Sequence, residues 1–168
     1  VATPQSYIEA DAYRIAREAD PLVCLLNAAV AVCVSDDTQG VGGVLHLRFI
    51  PHNQTKPLDL TDNTLSSDLL LLDRFCKDLR AEGARKQSWR VRLVCHIPTT
   101  DGMDTPAATL FDLLRAYFAD SRLPTECNEL RRPGAVVVRL DPREGRVSVH
   151  AAAEPAAPTA TRTSAIVK

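Results

Sequence analysis

The chain has 168 residues, 45% of them apolar, with 20 basic and 21 acidic side chains. That length and apolar content support one hydrophobic core. A formal charge of -1 excludes a general electrostatic attraction to nucleic acid or acidic membranes, so any partner is recognised by local surface chemistry. No window approaches the roughly 18 apolar residues of a spanning helix, and VATPQSYIEADAY lacks the basic-then-apolar pattern of a signal peptide.

In chain order, SYIEADAYRIAREAD (residues 6–20) fits a strand followed by a short helix. Val23 to Val34 is almost wholly apolar and β-branched, which predicts a buried strand. DDTQG (36–40) is a turn and VGGVLHLRF a second strand, so the two form a hairpin in which Gly42 and Gly43 allow a bulge or a close backbone approach. PHNQTKPLDLTDNT (51–64) is a polar loop. A first helix is predicted from about Ser66, its cap, with Asp68 favouring the positive helix end and Leu69, Leu72, Phe75, Cys76 and Leu79 at helical spacing. AEGA ends it. WRVRLVCHI (89–97) alternates as a strand with Trp89, Val91, Leu93 and Cys95 on one face.

A second helix is capped by Thr105, with Pro106 in its first turn and Leu110, Leu113, Leu114 and Phe118 as its stripe. AVVVRL, DPREG and RVSVH predict a closing hairpin. The expected fold class is an α/β or α+β sandwich with a mixed sheet and packed helices, forming one domain over 1–150. Residues 151–168 are Ala/Pro/Thr-rich and read as a tail, with Ile166 and Val167 its apolar anchors.

The chemistry-bearing residues are sparse. The five cysteines (Cys24, Cys33, Cys76, Cys95, Cys127) are odd in number and scattered, which argues against a disulfide framework or a structural zinc site and for a reducing, cytoplasmic setting. Neither a cofactor nor a metal is implied. His46 stands among apolar neighbours. With the turn centred between Thr38 and Gln39, paired positions sum to 77, so His46 faces Ala31 and shares a face with Ala29 and Cys33. A Cys33–His46 pair would be the minimum for thiol nucleophilic chemistry, and a packed histidine beside a buried cysteine is the plainer reading. Cys95 and His96 are adjacent and point to opposite faces; His52 lies in a polar loop and His150 ends the last strand. RKQSWRVR (85–92) is basic with one aromatic, and reads as a solvated strand entry rather than an RNA surface.

The segment LVCLLNAAVAVCVSDDTQGVGGVLHLRFIP (22–51) resembles the active-site hairpin of the CheD family, the chemoreceptor glutamine deamidases of bacterial chemotaxis. Members carry a threonine, an LGSC run, VAV, an acidic turn, GGM, a histidine and a trailing proline. Here VAV is Val30–Val32, Gly42, Gly43 and Val44 fall in the GGM region, His46 on the histidine and Pro51 on the proline. The likeness continues through both helices to LDPREGRVSV (140–149), similar to the family's closing hairpin, and spans most of residues 5–150. It implies a CheD-like cysteine-hydrolase sandwich, with a thiolate attacking the glutamine amide, a histidine as base and acid, and backbone amides holding the oxyanion. It also implies partners: a chemoreceptor cytoplasmic region or a CheC-like phosphatase, with no nucleic acid and no membrane insertion.

The same match exposes departures. The nucleophile position holds Ala29 and the threonine position Val23; Leu25 and Asn27 replace glycines, and Cys95–His96 stand where paired glycines do. The expected groove is Asn27, Ala28, Gly42 and Gly43. Two accounts of Ala29 stay open, a degenerate site and an engineered replacement of cysteine, and Val23 with the altered loops favours the first. An alternative nucleophile would be Cys33 or Cys24.

Overall fold

The computed structural model describes residues 7–17, 20–48, 63–99, 102 and 104–152. Strands β1 (Ala12–Arg17), β2 (Leu22–Leu26), β3 (Ala29–Asp36) and β4 (Val41–Arg48) precede helix α1 (Asn63–Ala81). Strand β5 (Arg90–Ile97), helix α2 (Asp104–Asp120), and strands β6 (Thr125–Arg131), β7 (Val136–Asp141) and β8 (Arg146–Ala151) follow. This is an α+β chain with a mixed five-stranded sheet, order β1-β4-β3-β5-β6, and a three-stranded sheet, order β2-β7-β8. Among the described strands only β5 and β6 pair in parallel, and α2 supplies their crossover.

Alternation along the central strands builds three layers. Val30, Val32, Val34, Leu45, Leu47, Val91, Leu93 and Cys95 pack with Leu72, Phe75, Leu79, Leu110, Leu114 and Phe118 of the two helices. The opposite faces, Ala29, Ala31, Cys33, Val44 and Val94, pack on Leu22, Cys24, Leu26, Val136, Val138 and Leu140 of the second sheet. A strand buried on both faces reads as a continuous apolar run, which is why β3 looks so uniform in sequence.

The run from Val23 to Val34 is nevertheless two strands, in different sheets. Ala28 takes a left-handed backbone (φ 56) and breaks the run, so β2 pairs with β7 while β3 pairs with β4 and β5. Asn27, a turn former inside an apolar run, is the local signal of that break. Residues 12–17 form a strand rather than a helix. α1 begins at Asn63, three residues before the expected Ser66 cap, and ends where Gly83 (φ 104) lets Ala84 N–H reach Leu79 O at 3.0 Å. α2 begins at Asp104, so Thr105 lies inside it.

Strand β6 has no counterpart in the sequence reading. Its side chains from Glu126 to Glu129 are all exposed, so no alternation marks it, and backbone pairing to β5 holds it at the sheet edge. The β3–β4 hairpin carries the expected register, Ala31 opposite His46, and is paired without a bulge from Ala29–Arg48 to Asp36–Val41. The DPREG turn closes β7 on β8 through Gly145 N–H to Asp141 O at 2.8 Å. The Ala/Pro/Thr-rich stretch from residue 153 onward, His52 and Pro51 lie outside the described residues.

Candidate functional site

The polar groups of the inter-sheet layer gather where β3 begins and β4 ends. Ala29 pairs with Arg48 on one side and with His96 of β5 on the other; His46 is two pairs further along, opposite Ala31 and on the same face. Even-numbered positions of β4 and β5 share the face of Ala29, so two imidazoles flank it. His46 is 6% exposed and His96 is fully buried.

Each ring has a defined tautomer. His46 Nδ1–H donates to Ile8 O at 2.9 Å, which leaves the lone pair on Nε2. Burial pushes the His46 pKa down, opposed by the Ile8 hydrogen bond and Asp11, so the ring is neutral and able to act as a base. His96 Nδ1 instead accepts Ala28 N–H at 3.1 Å, and its Nε2–H donates to Arg132 O at 3.0 Å. The second histidine thus spends the amide immediately before position 29. Cys95, its neighbour in sequence, faces the helices, as the alternation of β5 implies.

A carboxylate pair completes the end of the sandwich. Asp11, itself left-handed (φ 59), receives Arg48 Nε at 3.1 Å and Arg48 NH2 at 2.6 Å, and its own N–H donates to His46 O at 2.6 Å. Asp68 is buried nearby. Desolvation, then the charge of Asp11, pushes its carboxyl up to about 7. It lies in the second turn of α1, not at the positive helix end, because the helix starts earlier than expected. Its place was legible: residues 68, 72, 75 and 79 form one helical stripe, and an acid in that stripe is carried inward with the leucines.

The remaining expected site residues are dispersed. Val23 is buried on β2, but alternates with Cys24, whose side chain faces Ala29 and Cys33 across the layer; Val23 therefore turns to the other face of its sheet. Asn27 and Ala28 do border Ala29. Gly42 and Gly43 do not: they pair with Ser35 and Val34 at the far end of the hairpin, about 20 Å along the strand. They serve packing there, since a Cβ on Gly43 would lie 2.6 Å from Phe75 Cε1 and one on Gly42 3.1 Å from Leu140 Cδ2.

Cys33 and Cys24 are poor nucleophiles. Both are buried; desolvation pushes Cys24 up to about 12 and raises Cys33 further, so each stays a thiol. Cys76 and Cys95 pack among the helices, Cys127 is exposed on β6, and all five are free. No group of three or more potential metal ligands occurs among the described residues, and no described helix is long and apolar enough to cross a membrane. Trp89 is 2% exposed within the core and cannot stack on a base, while its neighbours Arg90 and Arg92 pair with Asp37 and Glu126.

No family model matches the sequence, and no curated protein matches it significantly. The arrangement itself limits the chemistry. A base stands on the face of Ala29 and Ala31 with its Nδ1–H engaged by Ile8 O, the nearby Cys33 and Cys24 thiols are buried and held protonated, and the amide preceding position 29 is already spent.

Proposed function

We propose that this chain is a CheD-like chemotaxis protein whose deamidase site has degenerated and which acts through protein contacts. The observation that carries the reading is that His46 stands on the same face as Ala29, diagonal to it across the β3–β4 pair, while His96, directly opposite Ala29, takes the amide of Ala28. The base of a thiol hydrolase has been kept in a position where it has nothing to deprotonate. An amide that could hold an oxyanion is bound inside the protein. A chemoreceptor cytoplasmic region or a CheC-like phosphatase is the partner this reading entails, and a bacterial cytoplasm its setting. The α+β layering with helices on one sheet face is compatible with a CheD-like fold.

The test is a deamidation assay on receptor peptides and on an intact receptor fragment, read by mass spectrometry as about one mass unit gained per glutamine converted. The chain as it stands is expected to give no turnover. Ala29→Cys alone is expected to recover little, because position 23 points away from the site and His96 still engages the Ala28 amide. A buried hydrogen bond lost in that way costs about 1–3 kcal/mol, or roughly 5–150-fold in rate when felt only in the transition state. Turnover by Ala29→Cys at the level of a competent deamidase would replace this reading with that of an enzyme inactivated at position 29.

A further inference from the structure

The segment before β1 sits in the molecule as a ligand sits in a groove. Ile8 N–H donates to Val23 O of the second sheet at 2.9 Å, and Ile8 O accepts His46 Nδ1–H of the first sheet at 2.9 Å, so one residue bridges the two sheets. The Ile8 side chain is 3% exposed and packs with Leu22, Ala29 and Ala31 in the layer between them. Three residues on, the Asp11 carboxylate lies across the Arg48 guanidinium, and Asp11 N–H reaches His46 O. Tyr7 and Glu9 face solvent and Ala10 is half-buried, leaving Ile8 and Asp11 as the two anchors.

We propose that the surface made by the β2 edge at Val23, His46 and Arg48 recognises an extended peptide with an aliphatic residue followed, three positions later, by a carboxylate. Residues Tyr7–Asp11 are its in-chain occupant, replaceable by a matching segment of a partner protein. Three features support this. Among the described strands β2 pairs with β7 alone, so its other edge offers a carbonyl to an added chain, the mode by which extended peptides join a sheet. The planar guanidinium fork selects a carboxylate. The occupant also takes a left-handed backbone at Asp11 to enter β1, a conformation that a separate peptide need not adopt. The inference goes beyond the deamidase reading and does not depend on it.

Because a tethered segment competes at high effective concentration, the test first loosens it in the full-length chain. Asp11→Arg sets two guanidinium groups against each other. Amide hydrogen exchange by NMR is expected to be at least tenfold faster at Ile8 and at position 11, with the amides of Val32 and Leu93 unchanged. A fluorescein-labelled peptide YIEADA is expected to bind this variant saturably, and to bind at least tenfold more weakly when its Ile and Asp are replaced by Ala. Asp11→Arg combined with Arg48→Asp restores an ion pair of reversed sense; exchange should slow again and the peptide should no longer bind. Should Asp11→Arg lose protection throughout the chain, Asp11→Asn carries the same measurements. Unchanged exchange at Ile8 in the loosened chain overturns the proposal, and so does peptide binding no stronger than that of the doubly substituted peptide.

Discussion

The two ends of the β3–β4 hairpin are built from the same strands by opposite means. At the turn end Asp36 Oδ1 is satisfied by near neighbours in the chain, accepting Thr38 N–H at 3.1 Å, Thr38 Oγ1–H at 2.5 Å and Gln39 N–H at 3.3 Å. One contact, Asp36 Oδ2 with Arg85 N–H at 2.7 Å, ties in the chain after α1. At the other end the partners come from far away. Ile8 is 38 residues from His46, and His96 is 68 residues from Ala28. Two left-handed non-glycine residues, Asp11 and Ala28, also collect there, beside a buried Asp68 whose carboxyl is raised to about 7. Strain and shifted acidity at one end, with relaxed caps and close packing at the other, separate a candidate recognition end from a structural one.

The largest expected effect lies at the structural end. Asp36→Ala strands several donors at a fully buried position and should destabilise the fold by about 3 kcal/mol, read as a fall in the urea midpoint. Gly43→Ala should cost about 1–3 kcal/mol in the same measurement, because the new methyl group meets the Phe75 ring, which is held between α1 and the sheet. Either substitution behaving as neutral would mean that the turn end is as adaptable as the other.

At the recognition end the contrast predicts gains instead of losses. Asp68 has its carboxyl raised from 3.8 to about 7 in the folded chain. Between these values the folded protein holds a proton that the unfolded chain releases, so stability falls as pH rises through that window and stays lowered above it. Asp68→Asn does not titrate, and should stabilise the chain by about 1–2 kcal/mol at pH 8 and not at all near pH 3. A pH-independent difference between the two chains would remove desolvation as the cause. The smallest effect belongs to Ala28→Gly. Relief of the left-handed alanine and the added flexibility of glycine oppose each other, for a net gain of at most about 1 kcal/mol by thermal unfolding.

Most elements are legible in the sequence, for physical reasons that differ along the chain. The hairpin register follows from where the polar turn DDTQG sits, and the observed pairing of Ala31 with His46 needs nothing else. The stripes of α1 and α2 and the alternating face of β5 are local periodicities that match the core they build. β6 escaped because an edge strand with exposed side chains leaves no hydrophobic pattern, only backbone pairing. The break at Asn27–Ala28 was hidden because two strands buried in different sheets are both apolar, and a single left-handed residue separates them.

The sequence by itself determined which side chains could do chemistry: one histidine in a hairpin, an alanine two positions before its cross-strand partner, and cysteines in apolar surroundings. Tertiary structure decided what those residues can do. It placed His96 against Ala28, Ile8 against His46, Asp68 beside Asp11, and Val23 on the far face of its strand. Burial and hydrogen bonding depend on segments brought together across tens of residues, whereas periodicity reports only a residue's nearest neighbours along the chain.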